Sequence, residues 1–382
     1  MKNPLRMVLA LVLLTLPLSA FGKGKGNDTL QLHFIDVGQA DGILLISPKG
    51  ETVLWDGGRP GLCDRAIAYM QQLGIQSIDY LITTHYDADH CGCAKEILNE
   101  FPVEIAAYDR GDSNKKETKV FQNYLEAVGS KRVTAEKGKT IVLDKGNPDS
   151  VVIKVVAVNG NGVKTNNEND LSVACVVTFD NFNLFLGGDL SGINGGGFAD
   201  IETGIAEEVG RVEAYKVSHH GSKYSSNEQF VRTLKPEVGV ISVGTKATGN
   251  TYKHPTDVCL SRLHDVGINT FWTEEGEGVK PVPGRDVVGG NIVVEVPPQS
   301  NEFTVTYSNN KKETYPMWEI YSVTTVVTPP LDKTKAKYAW SKNSNVYHYN
   351  NCLWVTKIKP QNLQTGSTPP EGKTLHKGCP VK

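Results

Sequence analysis

The chain has 382 residues, and its 40 lysines and arginines nearly balance its 42 aspartates and glutamates, which gives a formal net charge of −2 at pH 7. A chain of this length can bury a large core in one domain with an appendage, or in two domains. The near balance excludes long-range attraction of nucleic acid by overall positive charge, although a local basic groove would not appear in the total.

The N-terminal segment has the three-part pattern of a secretory signal peptide. Lys2 and Arg6 precede an apolar run over residues 7–16, and small residues follow it. Gly22 fits the last position of a small-x-small cleavage site, so we expect residues 1–22 to be removed, with cleavage after Ala20 as the alternative. Because the run is too short for a membrane span, we predict a secreted or periplasmic protein without a stable membrane span. A retained anchor is the alternative.

Predicted strands and helices alternate through the next three hundred residues. In the first half, β-branched and aromatic residues favour strands at 30–37, 42–47, 52–55, 78–83 and 103–108, and apolar spacing favours helices at 64–73, 94–101 and 117–128. In the second half, strands are predicted at 151–158, 171–179, 182–186, 212–217, 238–243 and 271–273, with helices at 199–209 and 256–264. Residues 275–292 have a loop composition, and 292–296 and 303–307 are predicted to form a closing hairpin. Two strand-rich halves with interleaved helices indicate the α/β class.

The C-terminal segment differs in character from the rest of the chain. Pro329, Pro330 and a charged run indicate a linker over residues 329–337. We therefore expect one large domain over 23–328 and a small module over 338–382. Such a short module needs a covalent or metal cross-link for stability. Cys352 and Cys379 could form a disulfide or, with His348 and His376, a Cys2His2 zinc site.

Four side chains that bind metals fall within six residues, directly after the predicted strand at 78–83. They are His85, Asp87, Asp89 and His90. Imidazole nitrogens and carboxylate oxygens suit zinc, manganese or iron. A polar loop that caps a helix needs only one such carboxylate, and this cluster would be costly unless a cation neutralised it. The sequence therefore predicts a metal site here.

The spacing H-x-D-x-D-H resembles the H-x-H-x-D-H signature of the metallo-β-lactamase superfamily, with Asp87 in place of the second histidine. Residues 34–41 resemble the opening of one branch, the hydrolase domain attached to bacterial competence (DNA-uptake) channels. Further elements match in order: Asp56-Gly57-Gly58, Gly188-Asp189, His219-His220-Gly221-Ser222 and His254-Pro255. The resemblance implies a four-layer αββα sandwich. The C-terminal module resembles a small metal-binding module first known from an alkyltransferase DNA-repair protein.

For the site, the resemblance implies two divalent metal ions, zinc or manganese. His85 and Asp87 would hold one ion, Asp89 and His90 the other, and Asp189 would bridge them around a reactive hydroxide. One more donor comes from His219, His220 or His254, and whichever of these is not a ligand would act as the acid for the leaving group. Asp56 would orient a ligand imidazole from outside the ligand set. Ser222 and Lys223 could contact a phosphate oxygen, although a lysine on a solvated loop is more often only a surface charge.

Two departures from the family pattern stand out. No histidine lies between His90 and His219, so the first metal has fewer protein ligands than usual, and the usual glycine pair after the ligand loop is replaced by Cys91-Gly92-Cys93. In an exported protein, a disulfide from Cys63 to Cys91 or Cys93 is expected. His33 and His264 are expected to be structural, and Asp36 and Asp41 either form a turn or take part in catalysis.

The predicted function is an exported metal-dependent hydrolase, with a phosphodiester in nucleic acid or in a cell-envelope polymer as the substrate. A carboxylate-rich pair of metal sites suits phosphate esters. The alternatives are a hydrolase of carbonyl substrates, such as a lactone, thioester or β-lactam, and an envelope-associated binding protein that keeps the fold. The sequence does not predict the oligomeric state.

Overall fold

The computed structural model describes residues 26–113, 117–318, 338–349, 355, 358, 362–366 and 368–376. The chain divides into two compact units, residues 1–320 and 321–382. The predicted signal peptide, the predicted linker, Cys352 and Cys379 all lie outside the described residues.

The first unit contains two β-sheets and seven α-helices within the described residues. The first half contributes the strands β1 (Leu30–Phe34), β2 (Ile43–Ile46), β3 (Thr52–Trp55), β4 (Ile78–Ile82), β5 (Val103–Asp109), β6 (Arg132–Thr134), β7 (Thr140–Leu143) and β8 (Val151–Ala157). The second half contributes β9 (Ala174–Phe179), β10 (Phe182–Leu186), β11 (Ala214–Lys216), β12 (Val238–Ile241), β13 (Asn269–Trp272), β14 (Asp286–Val288), β15 (Ile292–Val296), β16 (Glu302–Tyr307) and β17 (Lys311–Pro316). The helices are α1 (Cys63–Gln72), α2 (Ala88–Cys91), α3 (Ala94–Glu100), α4 (Lys119–Val128), α5 (Glu202–Val209), α6 (Glu228–Leu234) and α7 (Asp257–Asp265).

The two sheets pack face to face, with helices on their outer faces. The first sheet has the strand order β17-β16-β15-β1-β2-β3-β4-β5-β6, and the second has the order β14-β13-β12-β11-β10-β9-β8-β7. Apolar side chains from both sheets, such as Leu32, Val53, Ile153 and Leu184, share one buried cluster. The opposite face of the first sheet packs on α1, α3 and α4, and that of the second sheet packs on α5, α6 and α7. This arrangement confirms the predicted four-layer αββα sandwich.

Local sequence explains the helices that cover the sheets. In α1 the buried residues Cys63, Ala66 and Met70 recur at helical spacing, so one side of the helix faces the sheet. The helix α4 begins after Thr118, whose hydroxyl accepts a hydrogen bond from the backbone N–H of Phe121. Most predicted elements occur within a few residues of their predicted positions.

The structure corrects the prediction in several places. Residues 286–288, predicted as part of a loop, form β14, which pairs in parallel with β13 at the sheet edge. Strands β6, β7 and β17 and helices α2 and α6 were not predicted. All are short, and the three strands depend on pairing with their neighbours in the sheet more than on their local pattern. The predicted hairpin at 292–296 and 303–307 is present as β15 and β16.

The second unit contains a four-stranded sheet in the described residues. Its strands are β18 (Tyr338–Ser341), β19 (Val346–Tyr349), β20 (Leu363–Gly366) and β21 (Thr374–Leu375), in the order β20-β18-β19-β21. The imidazole rings of His348 and His376 lie 4.9 Å apart, centroid to centroid. Throughout the described parts of both units, no helix is long and apolar enough to cross a membrane.

Candidate metal centre

The ligand loop follows β4 and is fixed by contacts on both sides. The backbone N–H of Tyr86 donates to Glu168 Oε1 over 3.0 Å. Arg110 holds this carboxylate through two hydrogen bonds, each 2.7 Å long, and its guanidinium lies 4.7 Å from the centroid of the Tyr86 ring. Because Tyr86 lies between His85 and Asp87, these contacts fix the backbone that carries both side chains.

Asp56 orients the ligand loop from the end of β3. Its carboxylate accepts hydrogen bonds from Thr84 N (2.8 Å), Thr84 Oγ1 (2.7 Å) and His90 Nδ1 (2.8 Å). Burial alone would lower the pKa of His90, but Asp189 and Asp56 raise it well above its ordinary value. The bond to Asp56 fixes the imidazole with Nε2 pointing away from the sheet, which is the arrangement typical of a metal-ligating histidine.

His85 and His220 are held in the same way as His90. His85 Nδ1 lies 3.1 Å from Thr84 Oγ1 and 3.3 Å from Ser172 Oγ. His220 Nδ1 donates to the carbonyl oxygen of Ser242 over 2.7 Å. In all three histidines Nδ1 is therefore occupied, and Nε2 is buried without a hydrogen-bond partner among the described residues.

The free nitrogens face carboxylate oxygens at distances that suit shared cations. His90 Nε2 lies 3.3 Å from Asp189 Oδ2, and His220 Nε2 lies 3.6 Å from the same oxygen and 3.8 Å from Asp89 Oδ2. His85 Nε2 lies 3.5 Å from Asp87 Oδ2. Donor atoms within 4.8 Å of one another form the groups His85-His90-Asp189 and Asp89-His90-His220.

These unpartnered atoms fit a pair of metal ions. Leaving a buried polar group without a partner costs about 1–3 kcal/mol, and several such atoms converge here, including Asp189 Oδ1. Cations between them would satisfy the lone pairs and neutralise the carboxylates. Asp189 Oδ2 lies near the free nitrogens of both His90 and His220, so this carboxylate adjoins both groups.

His219 and His254, the other two predicted ligand histidines, lie next to this centre in different surroundings from His85, His90 and His220. His219 Nε2 is 3.7 Å from Asp189 Oδ2, but its Nδ1 has no hydrogen-bond partner among the described residues, which is the reverse of the pattern in the other three histidines. The His254 ring lies 5.5 Å from that of His219. Burial lowers the pKa of His219 to about 4 and that of His254 to about 3. Neither residue belongs to a group of converging donor atoms in the described part of the chain.

A buried ion pair behind the centre was not predicted. Lys216 Nζ lies 2.5 Å from Asp41 Oδ2 and 3.9 Å from Asp189 Oδ1. Asp41 Oδ1 is 3.7 Å from His220 Nδ1. Burial would raise the pKa of Asp41, but Lys216 and then His220 and His90 lower it below its ordinary value. Asp41, which the sequence left between a turn and a catalytic role, thus lies next to His90 and His220 and forms a third group of converging donor atoms with Asp56 and His90.

A cavity of about 720 Å³ opens onto the metal centre. Asp87, Asp89, Asp189, His219 and His220 line its inner part. The predicted substrate-binding residues Ser222 and Lys223 also line it, together with Arg59, Tyr224, Tyr252 and Lys253. Ser222 is buried and Lys223 is exposed. The cavity thus joins the carboxylate-rich centre to a rim that carries positive charges and aromatic rings.

A disulfide joins Cys63 to Cys93, which confirms the expected bond from Cys63 to one of the two cysteines beside the ligand loop. Cys91, Cys175 and Cys259 are free and buried. Burial raises the pKa of each thiol, so these three cysteines behave as small apolar side chains.

The structural histidines are also as expected. His33 Nδ1 lies 2.9 Å from the hydroxyl of Tyr69, and His264 Nε2 lies 2.8 Å from Asp286 Oδ1. Asp36 pairs with Arg65 over 2.8 Å.

Comparisons with known proteins agree with the fold. Residues 36–245, more than half of the chain, match the sequence profile of the metallo-beta-lactamase superfamily. The chain is similar to Recombination protein 2 of Haemophilus influenzae, with 28% identity over 270 residues that make up 69% of this chain and 30% of that protein. It is also similar to ComE operon protein 3 of Bacillus subtilis, with 26% identity over 266 residues that make up 64% of this chain and 32% of that protein. The chain therefore spans less than a third of the length of either relative.

A solved structure with a similar fold is that of the metallo-beta-lactamase fold protein YhfI from Bacillus subtilis. The match has 11% sequence identity and a TM-score of 0.41, and it covers 66% of this chain and 98% of that protein.

Proposed function

The chain belongs to the metallo-β-lactamase superfamily of metal-dependent hydrolases, and we propose that this member is an exported phosphodiesterase that uses two divalent metal ions. The observation that carries the proposal is the donor set. Asp89 and Asp189 converge with three histidines whose Nε2 atoms are free, and a third carboxylate, Asp87, lies 3.5 Å from one of these atoms, His85 Nε2. A set so rich in carboxylates favours hard ions such as manganese alongside zinc, and such ions bind phosphate oxygens well.

The donor geometry supports one assignment of ligands. His85 and Asp87 would hold the first ion, and Asp89, His90 and His220 would hold the second, with Asp189 shared between them. When bound, two such ions polarise a phosphoryl oxygen and lower the pKa of a water molecule between them. Asp56 and the Asp41–Lys216 pair keep the ligand imidazoles in place and offset part of the carboxylate charge.

His219 is suited to moving the proton. Its imidazole lies next to Asp189 and lines the cavity, and its lowered pKa keeps it neutral near pH 7. A neutral imidazole can accept a proton from the attacking water and deliver it to the leaving oxygen. Ser222, whose backbone N–H donates to the His219 carbonyl oxygen over 2.8 Å and which also lines the cavity, would contact a phosphate oxygen.

Two observations support export. The first residues have the pattern of a signal peptide, and the Cys63–Cys93 disulfide is of the kind that persists in an oxidising compartment. Expression of the full chain should give an extracytoplasmic product that begins after residue 22 or residue 20, as determined by N-terminal sequencing. A mature exported product that retains Met1 would contradict cleavage.

The name of one relative refers to recombination, which favours nucleic acid as the phosphodiester, and a cell-envelope polymer is the alternative. The deciding experiment supplies the purified protein with manganese or zinc and compares DNA, bis-p-nitrophenyl phosphate, a lactone and nitrocefin. We expect hydrolysis of the phosphodiesters. Efficient turnover of nitrocefin or the lactone with every phosphodiester intact would identify a carbonyl hydrolase, and no turnover of any substrate would favour a binding protein.

We also propose that residues 338–382 form a separate module after a linker at 329–337. The division of the chain into two compact units supports this proposal, and the proximity of His348 to His376 is compatible with a metal site there. A thiol assay on unfolded protein distinguishes the alternatives. A disulfide leaves Cys352 and Cys379 unreactive without reductant, whereas a zinc site releases zinc and two reactive thiols on unfolding.

A further inference from the structure

The roles proposed above do not include three cations that line the cavity, which are Arg59, Lys223 and Lys253. Arg59 is half-buried at the cavity rim. Its Nη1 donates to the carbonyl oxygen of Thr248 over 3.4 Å, and its guanidinium passes over Gly249, where an added Cβ would lie 1.6 Å from Nη1. Among the described residues Arg59 forms no ion pair with a carboxylate. A positive charge on the rim therefore remains available to an anion in the cavity.

The backbone of Arg59 is held by the disulfide. The Sγ atoms of Cys93 and Cys63 lie 2.9 and 3.8 Å from the Arg59 carbonyl oxygen. These sulfurs carry no hydrogen, so the contact is one of packing, and the hydrogen bond to this oxygen comes from the backbone N–H of Leu62 over 3.2 Å. At Gly92 an added Cβ would lie 2.3 Å from Pro60 Cδ. The turn that carries Arg59 is thus packed tightly against the residues that follow the ligand loop.

The same turn is bonded to the ligand loop itself. The backbone N–H of Gly57 donates to the carbonyl oxygen of His90 over 2.8 Å, and Gly58 forms an isolated β-bridge with Cys91. Arg59 follows directly. The distance between its backbone and the metal ligands is therefore fixed before any substrate binds, which is the condition for a preorganised binding group.

We infer that Arg59, anchored by the Cys63–Cys93 disulfide, forms a subsite for a second phosphate of the substrate, next to the phosphodiester at the metal centre. The inference rests on the proposed function and narrows its substrate class to chains that carry several phosphates. An arginine matches a phosphate because its planar fork donates two parallel hydrogen bonds. Nucleic acids and phosphate-containing envelope polymers share this chemistry.

The test compares dithymidine monophosphate with the same compound carrying an additional 5′ or 3′ phosphate. For the wild type, one of the phosphorylated forms should have a kcat/KM roughly tenfold or more above that of the plain dinucleotide, mainly through a lower KM. Arg59→Gln should abolish this preference, and Arg59→Lys should restore only part of it. Arg232→Gln is the matched control, because Arg232 is exposed on α6 and pairs with Glu228. An unchanged preference in Arg59→Gln would overturn the inference.

The disulfide is tested separately, with Cys63→Ser combined with Cys93→Ser, and with the reduced wild type in case the double variant fails to fold. In either folded form the preference for the additional phosphate should fall at least severalfold, while the metal content stays at the wild-type level. A full preference in a folded protein without the disulfide would show that the disulfide does not position Arg59.

Failure of the proposed function has a different signature. If the wild type cleaves neither bis-p-nitrophenyl phosphate nor any dinucleotide, the phosphodiesterase proposal fails. Calorimetric titration with the phosphorylated dinucleotide then decides the subsite. Weaker binding to Arg59→Gln than to the wild type would support it, and equal binding would overturn it as well.

Discussion

Replacing Asp56 by asparagine should weaken metal binding without removing any ligand. The carboxylate accepts hydrogen bonds from Thr84 N, Thr84 Oγ1 and His90 Nδ1. In Asp56→Asn one of the two positions becomes an NH₂ group, so in either amide orientation a donor faces another donor. The His90 imidazole then loses the contact that fixes its tautomer, or the loop loses its bond to Thr84. Loss of such an orienting partner typically lowers metal affinity 10- to 100-fold, which corresponds to about 1.4–2.8 kcal/mol.

The measurement is the metal dissociation constant, obtained by competition with a chromophoric chelator, together with the free energy of unfolding of the metal-free protein. Asp79→Asn is the matched control, because Asp79 is a buried carboxylate on the adjacent β4 that accepts from Thr52 N (2.8 Å) and Thr52 Oγ1 (3.2 Å). Both variants should lose stability, but only Asp56→Asn should lose metal affinity. Equal metal affinity in the two variants would refute the reasoning and leave Asp56 a purely structural role.

Three further outcomes are expected. Asp189→Ala should lose both ions together, and metal analysis that finds two ions retained would contradict the shared role. His220→Ala should lower the metal content. His219→Ala should retain both ions, and its rate of hydrolysis should fall far more for diesters with poor leaving groups than for p-nitrophenyl esters. The opposite pattern would show that the two histidines have exchanged roles. Burial lowers the pKa of His33 to about 4, so the unfolded chain binds more protons between pH 6.5 and 4, and stability falls as the pH falls through this window. The total loss is about 3 kcal/mol. In urea titrations with a chelator present, the free energy of unfolding of His33→Gln should therefore fall by about 3 kcal/mol less between pH 6.5 and 4 than that of the wild type. An equal fall in both proteins would show that His33 does not contribute to this pH dependence.

The sequence was most informative where one segment carries the signal. His85, Asp87, Asp89 and His90 lie within six residues, so their grouping needed no knowledge of the fold. The larger strands were predictable because buried apolar positions alternate along them, as in β15. The three-residue β14 was missed, since its composition favours a loop and only pairing with β13 makes it a strand. Helix α6 had a usable signal, because Asn227 caps it.

Contacts between segments far apart in the sequence could not be predicted from the local sequence pattern. Lys216 and Asp41 are each ordinary in their own segments. Their importance comes from the buried contact between them and from the position of Asp41 next to two ligand imidazoles. The anchoring of Arg59 likewise depends on which of two neighbouring cysteines pairs with Cys63, and the spacing of Cys91 and Cys93 left that choice open.

The backbone conformation of His219 and His220 directs their two imidazoles to different places. His219 and His220 both have positive φ, 50° and 51°, a conformation that costs non-glycine residues of order 1–3 kcal/mol each. This strained turn lets two adjacent imidazoles serve different purposes. His220 is directed into the centre with Nδ1 bonded to Ser242 and Nε2 facing Asp89 and Asp189. His219 is directed toward the cavity, between the centre and His254. These contacts support the proposed division of roles, with His220 as a metal ligand and His219 in proton transfer, since the Nδ1 of His220 is bonded to Ser242 whereas the Nδ1 of His219 has no hydrogen-bond partner among the described residues.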